Sequence, residues 1–128
     1  MAFANPHENL KNLEIKDGWK VADFGTGSGF YAIEAAKRVG EGGKVYAIDV
    51  QKDLLTKLKN KAKGEHLSNL EVVWADIDEV GGTKMADLFL DGIIIANTLF
   101  QSENKLNVVK EAARILRKGG EVLVSDWA

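Results

Sequence analysis

Apolar and polar positions alternate between two periods along this chain. Lys20–Phe24 carries a short apolar run and predicts a strand. Tyr31–Val39 repeats apolar residues at helical spacing, with Ala32, Ile33, Ala36 and Val39 on one face and Gly40 as its stop. Lys44–Val50 predicts a second strand, entered through Gly42-Gly43. Gln51–Lys63 predicts a helix with Leu54, Leu55, Leu58 and Ala62 on its buried face and Gly64 as the C-terminal signal. Leu70–Ala75 predicts a third strand. Gly92–Ala96 predicts a fourth, an apolar run of the kind buried on both faces. Asn104–Leu116 predicts a helix with Leu106, Val109, Ala113 and Leu116 turned inward and Ser102 as N-cap. Arg117-Lys118-Gly119-Gly120 predicts the turn into a fifth strand, Glu121–Ser125. The stretch 76–91 has no clear period; Gly81-Gly82 predicts a loop with room for one short helix.

Repeated strand–helix units predict an α/β fold, a Rossmann-like parallel sheet with helices on both faces. Right-handed crossovers favour the strand order 3-2-1-4-5. No linker, repeat or low-complexity stretch divides the chain, so residues 1–128 are expected to form a single domain.

Composition narrows the partners. A net charge of -2 gives no electrostatic reason to expect nucleic acid. There is no cysteine, which removes disulfides, thiolate metal sites and a cysteine nucleophile. No apolar run is long enough to span a membrane, and Met1-Ala-Phe-Ala-Asn-Pro6 does not have the pattern of a signal peptide. The expected location is the cytoplasm, with neither nucleic acid nor membrane as partner.

Candidate chemistry concentrates at the carboxyl ends of the expected strands, where such sheets hold ligands. The run Val21-Ala22-Asp23-Phe24-Gly25-Thr26-Gly27-Ser28-Gly29-Phe30-Tyr31 is a strand, an acid and a glycine turn opening a helix. Glycine permits positive φ and close backbone approach to a ligand. The spacing is G-x-G-x-G; a dinucleotide turn reads G-x-G-x-x-G, and Phe30 occupies its third glycine position. Asp49 ends the second strand, where a carboxylate can accept both hydroxyls of a ribose. Asp76 follows the third strand, and Asn97-Thr98-Leu99-Phe100 follows the fourth. Each piece also has a plainer explanation. The turn could be only a tight connection, Asp49 a helix N-cap, and Asp76 part of a solvated acidic loop. Their joint occurrence at successive strand ends favours a site.

Taken together, these pieces resemble the class I S-adenosylmethionine-dependent methyltransferases. The matching segments are Val21–Gly29, Val45-Tyr-Ala-Ile-Asp49, Ala75-Asp76-Ile77, Asp91-Gly-Ile-Ile-Ile-Ala-Asn97 and Leu116-Arg-Lys-Gly-Gly-Glu-Val-Leu-Val124. The flavour is that of the small-molecule branch that includes quinone-biosynthesis methyltransferases. The resemblance implies S-adenosylmethionine as cofactor, S-adenosylhomocysteine as product and a small-molecule methyl acceptor. It implies that Asp23, Gly25, Thr26, Gly27 and Gly29 form the turn at the methionine end. By the same resemblance, Asp49 holds the ribose, Val50 lies against an adenine face, Asp76 and Ile77 contact the adenine edge, and Asn97 offers a backbone carbonyl. A sulfonium and an ammonium suit Asp23 and carbonyls, whereas a pyrophosphate would call for amide donors and no acid.

No catalytic residue is assigned. His7 and Asp126 are candidate bases should the acceptor need to lose a proton. His66 and the lysines at 52, 57, 59, 61 and 63 are expected on the surface, and Trp19 and Trp74 in core or strand-end packing. The family carries seven strands, whereas the resemblance here ends after the fifth, a sheet truncated at Asp126-Trp127-Ala128. Val122-Leu-Val124 is then an exposed apolar edge, expected to pair in a homodimer or a strand-exchanged assembly. Two further readings stand beside methyl transfer: a cofactor-binding module without turnover, and a nicotinamide-dependent oxidoreductase domain, which the glycine spacing and Asp23 disfavour. The lack of cysteine argues against arsenic as acceptor.

Overall fold

The computed structural model describes residues 15–96 and 103–125. Strands β1 (Lys20–Phe24), β2 (Lys44–Asp49), β3 (Leu70–Trp74), β4 (Leu90–Ala96) and β5 (Leu116–Ser125) alternate with helices α1 (Phe30–Val39), α2 (Lys52–Gly64) and α3 (Lys105–Ile115). The five strands form one sheet in the order β3-β2-β1-β4-β5, and every pairing is parallel. This is the expected Rossmann-like topology, with the order reversing between β1 and β4, so that the crevice lies beyond the carboxyl ends of these strands.

Alternation of side chains along the central strands divides the core into two layers. Val21, Val45, Ala47 and Ile94 pack against Ala32, Ala35, Ala36 and Val39 of α1 and Leu58 and Ala62 of α2. Ala22, Phe24, Ile48, Ile93 and Ile95 pack on the other face against Val108, Ala112 and Ile115 of α3. The helices thus cover both faces. Trp19 packs against the first layer, and a Cβ at Gly92 would press on its ring. Trp74 sits at a strand end, exposed, with its indole N–H donating to the Val50 carbonyl at 2.9 Å.

Five expectations need correction. The inward face of α3 is not Leu106, Val109 and Ala113: these are exposed, and the helix buries Val108, Glu111, Ala112 and Ile115 instead. The two stripes differ by about one residue of rotation. The buried one contains a charge, so apolar patterning points away from it, and the fold accepts it because Glu111 is fully hydrogen-bonded. Leu54 of α2 is only half-buried and turns toward the crevice, while Leu55, Leu58 and Ala62 hold the core. No short helix forms between β3 and β4, where residues 75–89 run as successive turns.

The expected turn at Arg117–Gly120 lies inside β5 as an irregularity. Leu116 pairs with Leu90 and Glu121 with Gly92, so the residues between loop out of the ladder, with Gly119 at φ +78°. The N-cap of α3 is Asn104, whose side chain accepts the Asn107 amide; Ser102 lies outside the described residues. Among the described residues, no helix is long and apolar enough to cross a membrane.

Candidate cofactor site

A cleft of about 250 Å³ opens at the carboxyl ends of β1, β2 and β3. Gly25 and Gly27 line it from the turn after β1, Asp49, Val50, Gln51 and Leu54 from the end of β2 and the first turn of α2, and Ala75, Asp76, Ile77 and Asp78 from the end of β3. Six of the residues expected at a cofactor therefore share one cavity: Gly25, Gly27, Asp49, Val50, Asp76 and Ile77. Gln51, Leu54, Ala75 and Asp78 join them without having been singled out. Three of these four are direct sequence neighbours of named residues, which is the signal that could have found them.

The turn itself is wound by its glycines. Gly25, Gly27 and Gly29 have φ of +68°, +56° and +83°, a region that side chains with a Cβ rarely occupy. A Cβ at Gly29 would also strike the Leu58 side chain, whereas Gly27 has open space beside it. Gly29 is the N-cap of α1 and makes no side-chain cap, so the helix start is defined by backbone geometry alone.

Much of the turn's donor capacity is already committed. The Thr26 amide donates to the Ile48 carbonyl at 2.8 Å, the Gly27 amide to an Asp49 oxygen at 3.0 Å and the Gly29 amide to the Thr26 carbonyl at 2.9 Å. A pyrophosphate cradle needs such amides free and aimed at the ligand. Here two of them hold the turn against β2 and the third closes the turn on itself, which counts against a dinucleotide.

Asp49 is nearly buried and bridges two elements. Its second oxygen accepts the Gln51 amide at 2.9 Å. It is not the N-cap of α2, which is Gln51. Each carboxylate oxygen retains acceptor capacity for a ligand hydroxyl. Val50 is more than half exposed beside it, an apolar surface suited to one face of a planar ring. Across the cleft, Asp76 is exposed and accepts the Asp78 amide at 2.8 Å, while Ile77 is buried in the layer under α3.

Asp23, Thr26 and Gly29 do not line the cleft; all three are buried. The Thr26 hydroxyl donates to Asp23 at 2.9 Å. Burial pushes the Asp23 carboxyl up to about 7, reinforced by the nearby Asp49 charge, while the Thr26 hydroxyl and the Ala32 backbone pull the other way. A buried acid that titrates near neutrality is poised to respond to a cation brought close to it. Asn97 and the candidate bases His7 and Asp126 lie outside the described residues.

His66 is exposed in the connection from α2 to β3, and Lys52, Lys57, Lys59, Lys61 and Lys63 are exposed along α2. None of these lines the cleft. Among the described residues, no group of His, Asp and Glu is placed to hold a metal ion.

A methyltransferase domain model matches residues 15–128, nearly the whole chain. The chain belongs to the class I S-adenosylmethionine-dependent methyltransferases. The demethylmenaquinone methyltransferase of Bacillus mycoides is 28% identical over 116 residues, which are 91% of this chain and 48% of that protein. A solved S-adenosylmethionine-dependent methyltransferase from Aquifex aeolicus superposes with a TM-score of 0.79 at 34% identity, covering 88% of this chain and 58% of that one. An arsenic(III) S-adenosylmethionine methyltransferase from Chlamydomonas reinhardtii superposes with a TM-score of 0.81 at 31% identity, covering 88% and 40%. The methyltransferase domain described here spans about half the length of the Bacillus relative.

Proposed function

We propose that this chain binds S-adenosylmethionine in the β1–β2–β3 cleft and forms the cofactor half of a methyltransferase for a small-molecule acceptor. One observation carries the reading: the cleft presents carboxylates from two successive strand ends, Asp49 and Asp76, while the Thr26, Gly27 and Gly29 amides of the turn are spent internally. Such an acceptor set suits a ligand with hydroxyls, an amino group and positive charge, and suits a phosphate poorly.

Asp49 accepts the ribose hydroxyls, Val50 packs on one adenine face, and Asp76 with Ile77 meets the adenine edge. Gly25 and Gly27 let the backbone approach the thioether side. Asp23, Thr26 and Gly29 shape the turn from behind, with the Asp23 charge directed at the methionine end. Asn97 offers its carbonyl to that end. The sulfonium supplies an activated methyl group, so the protein's task is to align an acceptor nucleophile in line with it. A base is needed only for an acceptor that must lose a proton. Calorimetric titration with S-adenosylhomocysteine tests the binding, and a methylation assay on residues 1–128 separates an enzyme from a binding module without turnover.

Within residues 1–128 no thiolate is available to a soft acceptor such as arsenic(III). The single-domain organisation over residues 1–128 and a cytoplasmic location are part of the same reading. So is a homodimer through β5, supported by its place at the sheet edge and by the exposure of Val122 and Val124. Sedimentation showing only monomer at high concentration refutes that last part.

A further inference from the structure

The carboxylate of Glu111 is fully buried on the sheet-facing side of α3. It accepts hydrogen bonds from the Gly81 amide at 2.7 Å, the Thr83 amide at 3.2 Å, the Thr83 hydroxyl at 2.5 Å, and Arg114 Nε and NH2 at 2.8 and 2.7 Å. The remaining Arg114 nitrogen donates to the Met85 carbonyl at 2.8 Å and to Asp87 at 2.7 Å. One ion pair on one helix thus ties down residues 81 to 87 of a connection that has no regular structure of its own. A buried ion pair is a weak source of net stability, because desolvation offsets most of its attraction. What it supplies is position.

That position is passed directly to the cleft. Gly82, between the two residues that Glu111 holds, packs so closely on the Asp76 carbonyl that a Cβ could not fit there, and its amide donates to the Glu79 carbonyl at 2.9 Å. Asp76 in turn orders the next step by accepting the Asp78 amide. Ile77 is anchored in the same apolar layer as Val108 and Ala112, the residues flanking Glu111 on α3. The wall formed by Asp76, Ile77 and Asp78 is therefore braced from behind by α3.

We propose that Glu111 is a positioning residue for adenine recognition: through Gly81, Gly82 and Thr83 it fixes the Asp76 backbone, and so the carboxylate that reads the adenine amino group. This rests on the placement of adenine against Asp76 proposed above. Burial alone would raise the Glu111 carboxyl, but Arg114, Thr83 and Gly81 hold it down to about 2, so it stays ionised across the working range and acts as a fixed strut.

The test compares two ligands by calorimetry, S-adenosylhomocysteine and S-inosylhomocysteine, which carries a carbonyl in place of the adenine amino group. The unaltered protein prefers the adenosyl ligand by at least about ten-fold, because an acceptor left facing a carbonyl is penalised. Glu111→Gln brings that ratio close to one, weakening the adenosyl ligand and relieving the penalty on the inosyl ligand. Asp76→Ala has the same effect, and the double variant loses nothing further. Thr83→Val, nearly isosteric, removes one donor to Glu111; it lowers the ratio too, and it carries the test should Glu111→Gln fail to fold. A Glu111→Gln or Thr83→Val protein that binds both ligands more weakly but keeps the ratio overturns the proposal. A ratio already near one in the unaltered protein, with S-adenosylhomocysteine still bound, shows instead that Asp76 does not read adenine, and the positioning role falls with it.

Discussion

The Asp49 carboxylate joins the end of β2 to the glycine turn after β1, accepting the Gly27 amide on one oxygen and the Gln51 amide on the other. The residue proposed to hold the ribose is also the residue that fixes the turn, so fold and site share one group. Asp49→Ala leaves two amides without their partner, a loss of roughly 1–3 kcal/mol in a urea melt. It also removes the ribose acceptor, and S-adenosylhomocysteine affinity falls by at least about ten-fold. A variant that melts earlier yet binds as before separates the two roles and removes Asp49 from the ligand.

Asp23 predicts an unusual pH dependence. In the folded chain its carboxyl holds its proton up to about 7, whereas the unfolded chain releases it near the ordinary 3.8. Between those values the folded state binds the extra proton, so stability falls as pH rises from about 4 to about 7 and then levels off. Asp23→Asn flattens this slope and raises stability at pH 8 by roughly 1–3 kcal/mol. Cofactor binding runs the opposite way. A cation beside Asp23 favours the carboxylate, so binding tightens from pH 6 to pH 8 and releases a proton below neutrality. Titrations at pH 6 in buffers of different ionisation enthalpy check this, and identical heats contradict it.

The two glycines of the turn are expected to fail differently. Gly29→Ala meets both a φ of +83° and the Leu58 side chain, so its main effect is on stability, roughly 1–3 kcal/mol. Gly27→Ala meets open space at φ +56°, so it melts closer to the parent, but its methyl group enters the cleft and weakens cofactor binding. Thermal melts with and without S-adenosylhomocysteine distinguish them: Gly27→Ala loses the ligand-induced shift, and Gly29→Ala lowers the whole curve.

Hydrophobic period was enough to place α1, α2 and the five strands, because the helices and the central strands bury simple apolar stripes or runs and the edge strands β3 and β5 keep a half-buried alternation. It was also enough to bring Gly25, Gly27, Asp49, Val50, Asp76 and Ile77 to one cleft, since parallel topology carries successive strand ends to the same side. Two of its misses share one physical cause. The rotation of α3 and the path of residues 75–89 are set by Glu111 and Arg114, whose side chains reach into a loop about 30 residues earlier. Local patterning ranks a glutamate as outward-facing, and only the partners supplied by the folded loop reverse that ranking. Leu54 departs from its stripe for a related reason: it lies at the crevice mouth, where the sheet no longer covers the helix.

The rotated face of α3 yields its own prediction. Val108 is fully buried and Val109 nearly half exposed, although they are adjacent and of one type. Val108→Ala removes core packing and costs about 1–3 kcal/mol, while Val109→Ala stays within about 0.5 kcal/mol. Equal losses in paired denaturant melts contradict this orientation.

The most direct measurement of the central claim is calorimetric titration of the 128-residue chain with S-adenosylhomocysteine and, separately, with NAD. Saturable heat is expected with the first, its affinity weakened at least about ten-fold by Asp49→Ala, and none with the second. No heat with S-adenosylhomocysteine, or tighter binding of NAD, contradicts it.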